Sequence, residues 1–248
     1  MLKLYSTNIP KHSESFKRIV TCNDFRGIVI GSVLSKLFEA CLLHMYGEFL
    51  ETSDYQFGFK KNIGCTHAIF AVSKLINSSV MCGDTANIAA LDIAKAFPRV
   101  NHSALLIKLY KRNVPVSFID LLANWLPRSV SAIKWKNRIS DSFPLRTGVN
   151  QGSVLAPALF AVLVDDLIVK YHSSKLGFVI VYADDILLLA NSRYNLQKLL
   201  AVVESEIRWL NLELNIDKCS CLRIGPRYDR DCSAIYSFNL RICNSSGY

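Results

Sequence analysis

The sequence predicts an α+β fold in which a largely antiparallel sheet carries helices on one face. Three observations point there. Helical patterns come first, then a strand, two helices, a strand pair, a helix, a hairpin, a helix and terminal strands. That order differs from the regular alternation of a parallel α/β domain. The apolar runs Phe178–Tyr182 and Ile186–Ala190 flank the polar pair Asp184-Asp185, as the strands of a tight hairpin do. Finally, 51% of the 248 residues are hydrophobic and 20% charged, a globular composition with material for a sizeable core.

Taken in order, residues 1–24 are polar and mixed, and read as an irregular lead-in. Apolar positions at helical spacing (Val33, Leu34, Leu37, Phe38, Cys41, Leu42) place a helix in Ile28–Tyr46, with Gly31-Ser32 as its start. Gln56–Gly64 is basic and turn-rich, and Thr66–Ser79 is a second helix. Asn87–Ile93 is a short strand, followed by helices over Ser103–Arg112 and Val116–Trp125. Val130–Trp135 and Ile139–Leu145 form a strand pair around Lys136-Asn137-Arg138. Helical spacing returns in Ser153–Tyr171 and, after the hairpin, in the amphipathic Leu196–Leu210. Glu213–Arg223 and Ala234–Ile242 read as closing strands.

The formal net charge of +9 favours an anionic partner, although many basic proteins have none. Eight cysteines are scattered without a Cys-x-x-Cys pair or a His at zinc-finger spacing, so reduced and mostly buried thiols are expected. Met1–Thr7 lacks the apolar core of a signal peptide, and Val154–Val164 and Ile186–Ala190 are too short to span a membrane. An intracellular protein, nuclear or cytoplasmic and not secreted, is therefore expected.

Carboxylates inside apolar strands require an explanation, because an unpaired buried charge is strongly unfavourable. Asp92 sits in Ala89-Ala90-Leu91-Asp92-Ile93, and Asp184-Asp185 lies between Val179-Ile180-Val181 and Ile186-Leu187-Leu188. Clustered carboxylates suit hard divalent cations. Two such ions about 4 Å apart activate an attacking hydroxyl and stabilise a leaving pyrophosphate. Side-chain alternation makes Asp184 the stronger ligand of the pair and leaves Asp185 to assist. Taken singly, each acidic residue has a plainer reading, a polar turn or a strand end. Asp165-Asp166 is a second acidic pair, but it falls in a helical pattern and reads as a solvated helix face.

In their order, these segments resemble the reverse transcriptases of non-LTR (LINE-type) retrotransposons over residues 22–245. Asn23-Asp24-Phe25-Arg26-Gly27-Ile28 with Val33–Glu39, and then Gln56-Phe57-Gly58-Phe59-Lys60-Lys61 with Gly64–Ile69, resemble the two fingers motifs. Ala90–Phe97 resembles motif A, Thr147–Pro157 motif B, Val181–Ile186 motif C and Leu212–Arg223 motif D. The resemblance implies a right-hand polymerase, with a lead-in and fingers over 1–86 and a palm over 87–248 that holds a fingers-proximal strand pair near 129–146. The implied reaction is RNA-directed DNA synthesis on a primer 3′-hydroxyl, with an RNA template, a DNA primer, deoxynucleoside triphosphates and no membrane. Asp92, Asp184 and Asp185 become the catalytic ligands of two Mg²⁺ ions, with Mn²⁺ as a possible substitute. Phe97 becomes the gate under the sugar, and Arg26, Lys60, Lys61, Gln151, Gly152 and Lys218 contact nucleotide or template. Lys218 then has the further task of protonating pyrophosphate. His102 supports the following helix, and Ser153 caps the helix after motif B.

Departures from the pattern stand beside the matches. Pro98 follows Phe97 where the family carries an acid, Asn150 stands where it carries Arg, and Ala156 where it carries Ser. The chain ends at Tyr248, where the last palm hairpin is expected, so no thumb is expected. A catalytically inactive truncated remnant that at most binds nucleic acid is therefore the competing reading. A palm-like cyclase or an unrelated metal-dependent nuclease is a distant third.

Overall fold

The computed structural model describes residues 2–6, 26–135, 137–171, 175–230, 234–237, 240–241 and 243–244. Of 2–6, 26–28, 135, 240–241 and 243–244 it describes the backbone alone. The elements are strands β1 (Leu2–Ser6) and β2 (Arg26–Ile30), helices α1 (Val33–Tyr46) and α2 (Cys65–Met81), and strand β3 (Ala86–Asp92). Helices α3 (Ala96–Arg99), α4 (His102–Lys111) and α5 (Val116–Trp125) follow, then strands β4 (Val130–Trp135), β5 (Arg138–Ile139) and β6 (Phe143–Pro144). Helix α6 (Ala156–Tyr171) precedes the hairpin of β7 (Phe178–Tyr182) and β8 (Asp185–Ala190). Helix α7 (Arg193–Trp209) leads to β9 (Ser220–Ile224), β10 (Tyr236–Ser237), β11 (Leu240–Arg241) and β12 (Cys243–Asn244).

The main sheet has the order β12-β9-β3-β8-β7, antiparallel at every pairing except the parallel edge pair β12 and β9. Alternation divides its side chains cleanly. Ala89, Leu91, Val179, Val181, Ile186 and Leu188 point into one core with residues of α4, α5, α6 and α7. Ala90, Asp92, Ile180, Tyr182, Asp185 and Leu187 line the opposite face. The expected α+β sheet with its helices on one face is thus present, and α2 adds a partial cover on the other. Its residues Ala68, Ile69 and Val72 border an apolar cavity of about 450 Å³ over the open face, with Asp92, Asp185 and Lys218 at one end.

Several boundaries differ from the sequence reading, each for a physical reason. Part of the irregular lead-in is a strand: Leu2-Lys3-Leu4-Tyr5 alternates at period two, and β1 pairs antiparallel with β2 and parallel with β4. Ile28–Ile30 belong to β2, because Ser32 caps α1 by accepting from Ser35 N at 3.1 Å. Helix α7 begins a turn earlier than expected, where Ser192 accepts from Asn195 N. Residues 213–219 are no strand: Asn215 N donates to Asp92 O, while Asn215 O accepts from Lys218 N and Cys219 N. The chain turns there, and β9 begins only at Ser220. Ile139–Leu145 breaks into β5 and β6, since Ser140 bonds Ile133 through both its backbone N–H and its hydroxyl. Asn23-Asp24-Phe25 and part of Ala234–Ile242 lie outside the described residues.

Two further expectations fail. Of the cysteines with described side chains, Cys219 and Cys221 are buried, whereas Cys41, Cys65 and Cys82 are exposed, all as free thiols. Asp165 is not on a solvated face. Helix α6 is buried nearly all round, and Asp165 accepts from Ser53 N at 2.9 Å and pairs with Arg112, whose other arm donates to Glu51 O. Beside it, buried Lys108 bridges Asp166 (2.6 Å) and Glu206 (2.5 Å), and Lys170 reaches the second oxygen of Glu206 at 3.1 Å. The acidic pair that looked like decoration ties the 51–53 loop and α4, α6 and α7 together.

Candidate active site

The antiparallel register of β3 and β8 sets Asp92 directly opposite Asp185, and both face away from the helical core. Directly opposed residues have Cβ atoms about 4.5–5.5 Å apart. Asp184 sits in the turn between β7 and β8, after Ala183 in the left-handed region (φ 59°), and its carbonyl accepts from Ile93 N. Alternation does not extend through a turn, and Asp185 is the partner registered on Asp92. Lys218 returns to the same end because residues 213–215 are bonded along the C-terminal end of β3, which leaves its Nζ 3.6 Å from Asp92 Oδ2.

The electrostatics of this patch are unbalanced. Partial burial pushes the Asp185 carboxyl above the usual carboxylate range, the Asp184 and Asp92 charges push it further, and Lys218 only partly offsets them. Among the described residues no three Asp, Glu, His or Cys side chains form a closed metal cage. The acids share one patch of sheet and are not a preformed ligand set.

Beyond the end of β3, Phe97 packs against the helical core, stacking on buried Phe160 (centroids 5.1 Å) and meeting Phe59 edge-on at 5.9 Å. The loop 147–153 is fastened to the same region: Gly148 N donates to Val100 O, Val149 N to Phe97 O, and His102 Nε2 bonds Gly148 O at 2.8 Å. His102 thus steadies this loop as well as opening α4. A Cβ on Gly148 (φ 86°) would lie 2.6 Å from Pro98 O, and one on Gly152 (φ 112°) 2.5 Å from Val29 O. Gly148→Ala should accordingly cost about 1–3 kcal/mol through enforced strain, read as a lower denaturant midpoint in urea unfolding. Pro98 itself removes no hydrogen bond, because it lies within the first turn of α3, where helical N–H groups have no intrahelical acceptor.

Other sequence candidates are placed elsewhere. Gln151 is exposed, its carbonyl accepts from Val29 N, and it lines a separate cavity of about 250 Å³ with Pro98, Thr147 and Asn150. Lys60 donates to the carbonyls of Thr52 (3.0 Å) and Ser53 (2.6 Å), so its ammonium already serves a loop. With exposed Lys61 it borders a cavity that does not include Asp92 or Asp185. Arg26 opens β2, and its side chain lies outside the description. Ser153 Oγ accepts from Ala156 N at 3.2 Å, as a cap should.

Comparison with known proteins decides the family: residues 9–232 match the model for "Reverse transcriptase (RNA-dependent DNA polymerase)". The chain belongs to that family. Among relatives of this reverse-transcriptase chain, the Pol polyprotein of the type-2 retrotransposable element R2DM of Drosophila melanogaster is 29% identical over 219 residues, 86% of this chain and 21% of the relative. The probable RNA-directed DNA polymerase from transposon BS of the same fly is 30% identical over 68% of this chain and 19% of the relative. The polymerase of the mobile element jockey, again of that fly, is 26% identical over 80% and 23%. The chain therefore spans about a fifth of the length of the curated relatives it matches, and they are non-LTR elements, as the motifs implied. In fold it is similar to apo telomerase from Candida tropicalis, with a TM-score of 0.61 at 11% identity over 83% of this chain and 43% of the other.

Two residues of the reverse-transcriptase site escaped the sequence reading. Buried Glu39 of α1 accepts from Ser35 and Ser153 hydroxyls and from Val154 N (2.6 Å) and Leu155 N (3.1 Å), so it pins the start of α6. Buried Gln56 contacts the acidic hairpin. A polar residue at a position otherwise facing the core was the available signal in each case.

Proposed function

We propose that this chain is the nucleotidyl-transfer core of an RNA-directed DNA polymerase, which extends a DNA primer on an RNA template with deoxynucleoside triphosphates. The observation that carries the reading is the facing of Asp92 and Asp185 across two strands, with Asp184 in the adjoining turn. The chemistry of the donors, carboxylate oxygens, suits hard divalent cations: the charges of Asp184 and Asp92 act on Asp185, and Lys218 lies 3.6 Å from Asp92, while among the described residues the three acids are not drawn together into a ligand set. When bound, a pair of Mg²⁺ ions, or Mn²⁺ in their place, supplies Lewis-acid activation of the primer hydroxyl and charge neutralisation at the pyrophosphate.

The chain's own residues do the positioning. Asp92, Asp184 and Asp185 would hold the cations. The Phe97 ring, backed by Phe160, cannot retreat, so an added 2′-oxygen on the sugar meets it. Gly148 and Gly152 let the loop that carries Gln151 pack directly on the backbone of Pro98 and Val29, which fixes that loop. Lys218, whose side chain is 59% exposed, is free to swing from Asp92 and give a proton to the departing pyrophosphate. Lys61 is the better candidate for a phosphate contact than Lys60, which is already bonded. Within this reading the protein works in the nucleus or the cytoplasm.

The test is primer extension on poly(rA)·oligo(dT) with Mg²⁺ or Mn²⁺. Incorporation of dTTP that stops when the cation is chelated is expected. A folded, monodisperse sample that incorporates nothing with either cation would overturn the reading and leave a remnant that binds nucleic acid at most.

A further inference from the structure

We infer that Gln56 is a positioning residue that braces the acidic hairpin from below. The inference rests on the polymerase reading for its consequence, although not for its geometry. Residues 55–57 run parallel to β7, with Val181 N donating to Tyr55 O at 3.0 Å and Phe57 N to Val181 O at 2.8 Å. This sets the Gln56 side chain, 0% exposed, under the turn. Its Oε1 accepts from Gly58 N at 2.8 Å and from Ala183 N at 3.3 Å. Two N–H donors on one atom fix the orientation of the amide, because a flipped group would set donor against donor.

Two features indicate that the contact serves the turn. Ala183 has φ 59°, a conformation an L-residue adopts only when its surroundings impose it. Gln56 Nε2 is buried with no partner among the described residues, so the side chain is not held there by full satisfaction of its own polar atoms. Gly58 completes the brace. A Cβ there would overlap the Ala183 nitrogen and lie 2.8 Å from its Cα, so the chain can pass this close only as glycine. The hairpin turn is thus held by Gln56 and Gly58 on one side and by Ile93 N donating to Asp184 O on the other. Together they set the position of Asp184 relative to Asp92.

The experiment compares Gln56→Met, which keeps the shape and loses the acceptor, with Gln56→Glu, which keeps an acceptor in either protonation state. Amide exchange at Ala183, followed by NMR without metal or substrate, should quicken about five- to tenfold in Gln56→Met, the loss of one hydrogen bond, and stay slow in Gln56→Glu. In primer extension, Gln56→Met should lose about a hundredfold in kcat, as a small misplacement of reacting groups does. Its KM for dTTP should stay within about twofold, because substrate contacts lie elsewhere. Gln56→Glu should restore most of kcat. Should Gln56→Met fail to fold by circular dichroism, Gln56→Asn, one methylene too short to reach Ala183, replaces it. A folded acceptor-less variant with wild-type exchange at Ala183, or a Glu variant as impaired as Met, would overturn the inference. Absence of incorporation by the wild-type chain overturns the polymerase reading alone, since the exchange arm still reads the brace.

Discussion

Replacing Asp92 with alanine is expected to lower nucleotide incorporation by about three orders of magnitude or more, several kcal/mol of lost charge stabilisation. Asp185→Asn should do the same by primer extension, because the two carboxylates are registered across the β3–β8 pair. The same substitution should also make the metal-free protein more stable at neutral pH. Burial, then Asp184 and Asp92, hold the folded-state pKa of Asp185 above its ordinary 3.8. For a raised carboxyl, the associated stability is fully present below the unfolded value and is lost as pH rises through the folded value. Asn carries no charge to lose, so at pH 7 its Tm in EDTA should exceed wild type by roughly 1–3 °C, a fraction of a kcal/mol after solvent screening. The gap should close as pH falls toward 3.8. A lower Tm for Asp185→Asn at pH 7 would show that like-charge repulsion is not what strains the site.

The second large effect concerns stability alone. Lys108 is 2% exposed and holds Asp166 and Glu206, with the ring of Trp209 5.0 Å from its ammonium. Lys108→Ala leaves Glu206 with Lys170 as its remaining cation among the described residues and takes from Asp166 its Lys108 partner, and should destabilise the fold by about 3–5 kcal/mol. Urea unfolding at pH 7 measures it; a loss below about 1 kcal/mol, the scale of a surface pair, would mean that the cluster is hydrated. Burial raises the Glu206 pKa, but hydrogen bonds from Lys108 and Lys170 more than reverse this, and the net value is lowered from 4.5. The stability it contributes is therefore present above pH 4.5 and lost as pH falls through the lower folded value, so Lys108→Ala should flatten the acid limb of the stability curve.

What could be read from the sequence was whatever local pattern dictates. The hairpin around Asp184-Asp185, the strand that ends in Asp92 and helix α5 are where periodicity and turn residues place them. The chemistry of the acidic residues was legible because charge inside an apolar strand has few explanations. What was hidden depends on partners distant in sequence. The Asp165 side chain looked solvated because nothing near it announces Arg112 or Ser53 N. Lys60 looked free because its acceptors are backbone carbonyls, which any sequence carries. Gln56 and Glu39 act through N–H groups more than a hundred positions away. The register of Asp185 on Asp92 depends on strand pairing across the sheet, which local alternation does not encode.

The brace beneath the acidic turn also has a consequence in time. Gln56 and Ala183 are 127 residues apart, so at ribosomal rates the amide waits roughly 6–25 s for its partner to be made. Until then Gln56 has no turn to brace, and the hairpin cannot take its final shape when it emerges unless that earlier part is already in place. The most reactive corner of the molecule is thus among the last to acquire its geometry during synthesis, after the slow closure of long-range contacts around it.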